Sequence, residues 1–202
     1  MFIRILRWAI VACVVLATTG RSAQAQAFGG RALVHEFTAA EAALVQQAIQ
    51  LLQSPGFNVL AGSIVIEANI DDTVGLADPD HDAVGVDLEK FRDMTDGEPL
   101  TDGEMVPFIA VILWHEYGHA QDDAATDCEG YPLSYLTGAF LCELICNLQM
   151  QGQDTSKLCM LDEMVVAATA VGGKLYSDYV AAGCGTPSPS GAWAWPGCSC
   201  CP

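Results

Sequence analysis

The stretch Thr101-Asp-Gly-Glu-Met-Val-Pro-Phe-Ile-Ala-Val-Ile-Leu-Trp-His115-Glu-Tyr-Gly-His119-Ala-Gln-Asp122 decides the fold. It opens on Thr101-x-x-Glu104, a capping box: the hydroxyl can bind the N3 amide while the carboxylate reaches back to the cap. Val106 to Trp114 is almost wholly apolar, so a buried helix is predicted from about Met105 to Asp122. Pro107 falls early enough in it to be tolerated. His115 and His119 are four apart, so their rings project from one face, one turn from each other. Two imidazoles at that spacing can reach one ion at the roughly 2.0 Å that zinc requires. Glu116, one step round the helix, is off-face for a ligand but well placed to touch a water on that ion. It can take the water's proton and later hand it to a leaving amine.

Upstream, Thr38-Ala-Ala-Glu41 is a second capping box, and a helix is expected from about Ala39 to Gln53, stopped by Ser54-Pro55-Gly56. Ser63 to Ala68 is short and β-branched and reads as a strand. Thr73 to Leu76 and Ala83 to Leu88 flank an Asp-rich turn and read as a hairpin. Downstream, a polar loop carries Asp122, Asp123, Asp127 and Glu129. A helix from Pro132 to Gln149 follows, then one from Ser156 to Ala182 with a kink at Gly172-Gly173. Residues 186–202 are rich in Pro, Ser, Gly and Trp and form a tail, ordered if its cysteines tie it down. Helix, strands and hairpin, then helices, make an α+β domain over 26–185.

The N-terminal 25 residues stand apart. Arg4 and Arg7 precede an apolar run from Trp8 to Thr18, and Ala23-Gln24-Ala25 and Ala25-Gln26-Ala27 offer cleavage sites, the layout of a secretory signal peptide. The apolar core is about 11 residues, short of the roughly 20 that span a bilayer. A secreted or periplasmic protein is expected, with no membrane association after cleavage. Loss of Arg4, Arg7 and Arg21 moves the formal charge from −17 to −20, a surface that repels nucleic acid and anionic lipid. Cys13 leaves with that segment. The remaining eight cysteines, Cys128, Cys142, Cys146, Cys159, Cys184, Cys198, Cys200 and Cys201, read as up to four disulfides stapling the C-terminal half. Eight cysteines allow 105 pairings, and spacing does not choose among them.

A catalytic zinc has three protein ligands and an open position. The third cannot lie further along the same helix, because positions i and i+8 are about 12 Å apart. Glu143, flanked by Leu141, Leu144, Ile145 and Leu148, is the leading candidate, since a carboxylate in an apolar stretch is costly unless paired or metal-bound. Asp127 and Glu129 are the alternatives. A second cation site is suggested by Asp78-x-Asp80-x-Asp82 with Glu89, which matches positions 1, 3, 5 and 12 of a calcium loop. Ala83 replaces the glycine such a loop needs at position 6, and strand-like flanks leave only a looser Ca2+ site.

His115-Glu-Tyr-Gly-His119 followed by Glu143-x-x-x-Asn147 resembles the gluzincin branch of zinc metallopeptidases, and within it the short secreted or periplasmic neutral enzymes. The resemblance covers about Ser63 to Gln149. It implies a zincin-like fold, a small sheet and hairpin packed on the active-site helix with a helical C-terminal half. It implies His115, His119 and Glu143 as zinc ligands and Glu116 as general base. It also implies a strand along the substrate cleft, here Ala83 to Leu88. Asn147 stands where the branch carries Asp and could accept a hydrogen bond from His115 without charge. Tyr176 and Tyr179 are the candidates for stabilising a developing oxyanion. The expected activity is hydrolysis of peptide bonds in a peptide or protein substrate. The alternatives are a non-catalytic, disulfide-stapled metal-binding module and a zinc amidase acting on cell-wall peptide.

Overall fold

The computed structural model describes residues 27–28, 31–32, 37–53, 65–68, 74–78, 83–93, 99–120, 128, 130–185 and 193–202. Residues 1–25, read above as a signal peptide, lie outside them, as do His35, His81 and most of the Asp-rich turn and acidic loop. Two short strands, β1 (Ala27–Phe28) and β2 (Arg31–Ala32), pair antiparallel. Then come α1 (Ala39–Leu52), β3 (Val65–Ala68), β4 (Gly75–Asp78), β5 (Ala83–Val86) and α2 (Leu88–Asp93). The helical half consists of α3 (Asp102–Ala120), α4 (Gly130–Met150), α5 (Ser156–Thr169) and α6 (Lys174–Ala181). The described residues are mostly helical, with a small mixed sheet ordered β3-β5-β4. Among the described residues, no helix is long and apolar enough to cross a membrane.

α3 is the axis of the molecule. Met105, Phe108, Ile109, Ala110, Val111 and Leu113 are all buried, so apolar side chains cover several faces rather than one stripe. Such a helix must be surrounded. It packs against α1 on one side, against β4 and β5 on another, and against α4 on a third. α1 contributes Leu44, Val45, Ala48 and Leu52 to the shared core, and α4 contributes Leu141, Leu144, Ile145 and Leu148. Gly118 lets α4 come close, for a Cβ there would stand 2.6 Å from Leu133 Cδ1. Pro107 leaves the Gly103 carbonyl without its usual amide, but Gly103 is exposed and water can serve it.

Both capping boxes form. Thr38 N–H donates to Glu41 Oε2 at 2.7 Å and Glu41 N–H to Thr38 Oγ1 at 3.3 Å. At α3, Thr101 N–H and Oγ1–H both donate to Glu104 Oε2, at 2.8 and 2.7 Å. Lys157 of α5 adds an ion pair to the other carboxylate oxygen at 2.9 Å. These hydrogen bonds, then Lys157, hold the Glu104 carboxyl down at about 2. A carboxyl depressed in the folded state stabilises above its unfolded value and loses that contribution as pH falls toward the folded one. Thr101→Ala should therefore cost about 1 kcal/mol at neutral pH. The gap from wild type should shrink between about pH 4.5 and 2, read from urea midpoints across that window.

β1, β2 and α2 are additions to the sequence reading, the first hairpin strand is Gly75–Asp78 rather than Thr73 to Leu76, and two further differences have a clear cause. The second hairpin strand does not run on to Leu88: Asp87 ends it and caps α2, its Oδ1 accepting from the amides of Glu89 (3.0 Å) and Lys90 (3.1 Å). The expected helix from Ser156 to Ala182 is two helices. Ala170 leaves helical geometry with ψ 155°, and Gly172 sits at φ +85°, so the chain breaks rather than kinks.

Four disulfides staple the C-terminal half: Cys128–Cys184, Cys142–Cys198, Cys146–Cys200 and Cys159–Cys201. Three of them fasten the end of the tail to α4 and α5. Cys198 itself is buried in the core. Asp162 of α5, also buried, accepts from Trp195 Nε1 at 2.7 Å and from the Cys198 amide at 2.8 Å. Residues 193–202 are thus packed into the domain.

Candidate metal and catalytic site

The His115 and His119 rings lie side by side on α3, centroids 4.9 Å apart and nearly perpendicular. The spacing that suggested a shared ion therefore survives in three dimensions. Thr137 of α4 meets His115 from behind, with Oγ1 2.8 Å from Nδ1. The Thr137 hydroxyl has one proton, and it goes to the Leu133 carbonyl at 2.8 Å. Toward His115 the hydroxyl must accept, so Nδ1 carries the ring proton and Nε2 keeps its lone pair. That is the tautomer a metal ligand needs, set by a hydrogen bond behind the ring. Burial first, and then the neighbouring His119, pull the His115 imidazole down to about 4, so it is neutral at physiological pH.

Thr137 does what the sequence reading assigned to Asn147. A threonine inside a helix carries no signal for this role. It is visible only once α3 and α4 are packed. Thr137→Val keeps the shape and removes the acceptor, leaving the Nδ1–H without a partner. For a zinc ion held by this pair, affinity should fall about 10- to 100-fold, measured by competition with a chelator of known affinity. The helix should remain folded, because valine fits the same space.

Glu116 lies under β4. Its carboxyl accepts from the amide of Ala77, and burial outweighs that bond to push it up to about 7. A cation held by the two imidazoles would draw it back down. The chain thus gathers a potential base, the neutral His115 imidazole and the neighbouring His119 ring on one helix end.

Glu143 is not gathered with them. It is exposed on α4, on the outward stripe with Leu136, Ala139 and Met150. The helix turns Leu141, Leu144 and Ile145 inward and leaves Glu143 facing solvent, so apolar neighbours in sequence do not make an apolar surrounding. Among the described residues, the His115 and His119 nitrogens and the Glu143 carboxylate do not come within 4.8 Å of one another. Asp127 and Glu129 fall outside the described residues. Cys128, between them, is bonded to Cys184.

Tyr176 and Tyr179 pack against Tyr131, with ring centroids 5.9 and 5.4 Å away. That is an aromatic cluster between α4 and α6. The sulfurs of Cys142, Cys146 and Cys198 do lie within 4.8 Å of one another. All three are oxidised in disulfides and offer no thiolate. The turn carrying Asp80 and Asp82 is outside the described residues, and Glu89 is exposed on α2.

β5, the strand expected to border the cleft, lies in the middle of the sheet. It pairs parallel with β3 and antiparallel with β4, so both its edges are used. The strand beside Glu116 is β4, which among the described residues has a strand partner, β5, on one side only. No protein-family model, curated protein or solved structure matches the chain.

Proposed function

We propose that the chain is an exported zinc-dependent peptidase, with a zincin-like arrangement of edge strand and metal-binding helix. The observation that carries this reading is the pair His115 and His119 on one helix face, with His115 locked as the Nδ1–H tautomer by Thr137. A pair of imidazole nitrogens suits zinc, and donor identity sets that preference. Zinc held there supplies Lewis acidity and lowers the pKa of a water.

The chain's own groups then divide the work. His115 and His119 hold the ion. Glu116, covered by β4, takes a proton from the attacking water and returns it to the leaving amine. Along the outer edge of β4, beyond the Ala77 amide that Glu116 takes, an extended peptide can add as a further strand. The third donor is sought among Asp127 and Glu129, beside the Cys128–Cys184 bond, because Glu143 faces solvent. The acidic exterior argues against nucleic acid as a partner.

The test is cleavage of a mixed peptide library by the purified, disulfide-intact protein. Cleavage that a chelator abolishes and zinc restores supports the proposal. Absence of chelator-sensitive cleavage removes it and leaves a metal-binding module. Turnover confined to cell-wall peptides would move the protein to the amidase class.

A further inference from the structure

Glycine in a strand has no side chain to pack and often marks a close approach. Gly75 is such a residue, in β4, and a Cβ added there would find three atoms almost on top of it. Ile112 Cγ2 would be 2.6 Å away, Glu116 Oε1 2.7 Å and Glu116 Cγ 2.8 Å. Two residues on, Ala77 is also small, and its amide donates to Glu116. The register explains how one strand does both. The Asp87 amide donates to the Val74 carbonyl at 2.9 Å, and Leu76 pairs with Gly85. In an antiparallel ladder alternate residues turn both backbone groups to the same side. Val74 and Leu76 therefore face β5, while Gly75 and Ala77 turn their amides to the opposite edge.

We infer that β4 seats the Glu116 carboxyl, the missing side chain at Gly75 making room for it and the outward amide of Ala77 fixing its orientation. Gly75 is then a positioning residue for the reaction, an inference that rests on Glu116 as general base. All three atoms belong to side chains, so a methyl at position 75 pushes Glu116 and Ile112 aside in preference to backbone. A base displaced by about 1 Å can cost about 100-fold in rate.

The experiment compares zinc-loaded wild type, Gly75→Ala, Ile112→Ala and the double variant, with Glu116→Gln alongside. Zinc content, melting temperature, kcat and KM are measured for each. Gly75→Ala is expected to keep its zinc and its KM within about twofold while kcat falls about 10- to 100-fold. Ile112→Ala removes the other obstacle, so the double variant folds even where Gly75→Ala does not. It should still turn over at least about 10-fold more slowly than Ile112→Ala alone. A double variant as fast as Ile112→Ala overturns the positioning role and leaves the general base untouched. Wild-type turnover that survives Glu116→Gln instead overturns the reading beneath it.

Discussion

Glu116→Gln is expected to reduce chelator-sensitive peptide cleavage by at least about 1000-fold while zinc remains bound. Glutamine is nearly isosteric and cannot take a proton, so the substitution removes one function and little else. General acid–base catalysis contributes roughly 100- to 10,000-fold, and here one carboxyl would serve both proton transfers, so the upper part of that range applies. The surroundings favour a clean result. The amide of Ala77 can donate to the glutamine oxygen as it does to the carboxylate. The imidazoles keep their geometry, because the His115–Thr137 bond does not involve position 116. Loss of zinc in this variant would mean that Glu116 is itself a ligand. Retained activity would mean that another group moves the proton.

The second large effect concerns the tail. Cys142–Cys198, Cys146–Cys200 and Cys159–Cys201 close loops of 56, 54 and 42 residues in sequence. A single loop of that size restricts the unfolded chain by about 4 kcal/mol, and loss of a native disulfide typically costs about 2–5 kcal/mol. The loops overlap, so the three contributions do not add. Converting Cys159 and Cys201 together to serine should cost about 2–5 kcal/mol, a large part of a domain's usual stability. It should show as a lower urea midpoint under non-reducing conditions. The hydrogen bonds from Trp195 and the Cys198 amide to Asp162 would keep the tail docked in the folded state. A loss below 1 kcal/mol would show that the tail's packing, rather than its cross-links, holds the C-terminal half together.

How much of this was legible before folding depends on the range over which each signal acts. The capping boxes at Thr38 and Thr101 are contained within four residues, and both form. The i, i+4 pair His115 and His119 is equally local, and helix geometry alone puts the rings together. Glu143 shows where local reading stops. Its neighbours Leu141, Leu144 and Ile145 are buried, yet a step of 100° per residue turns Glu143 outward. Burial of neighbours in sequence says nothing of the face between them.

Contacts between elements were less legible still. Thr137 meets His115 across 22 positions, and only the packing of α4 on α3 makes the bond. Gly75 reads as a weak strand residue until Glu116 is seen pressed against it. The antiparallel β4–β5 pairing could be expected from the Asp-rich turn, but the parallel partner β3 on β5's other side could not. That partner makes β5 the centre of the sheet and β4 its edge. Asp87 was hidden within an alternating run and proved to be a helix cap, with its carboxylate buried. The even cysteine count foretold cross-linking, and the pairing waited on the fold.

The central claim is that His115 and His119 hold one zinc ion. Metal analysis of purified, disulfide-intact wild type, His115→Ala and His119→Ala tests it most directly. The expected result is one zinc per chain in wild type and almost none in either variant, with the helical circular dichroism of all three alike. Equal zinc in wild type and both variants would contradict it.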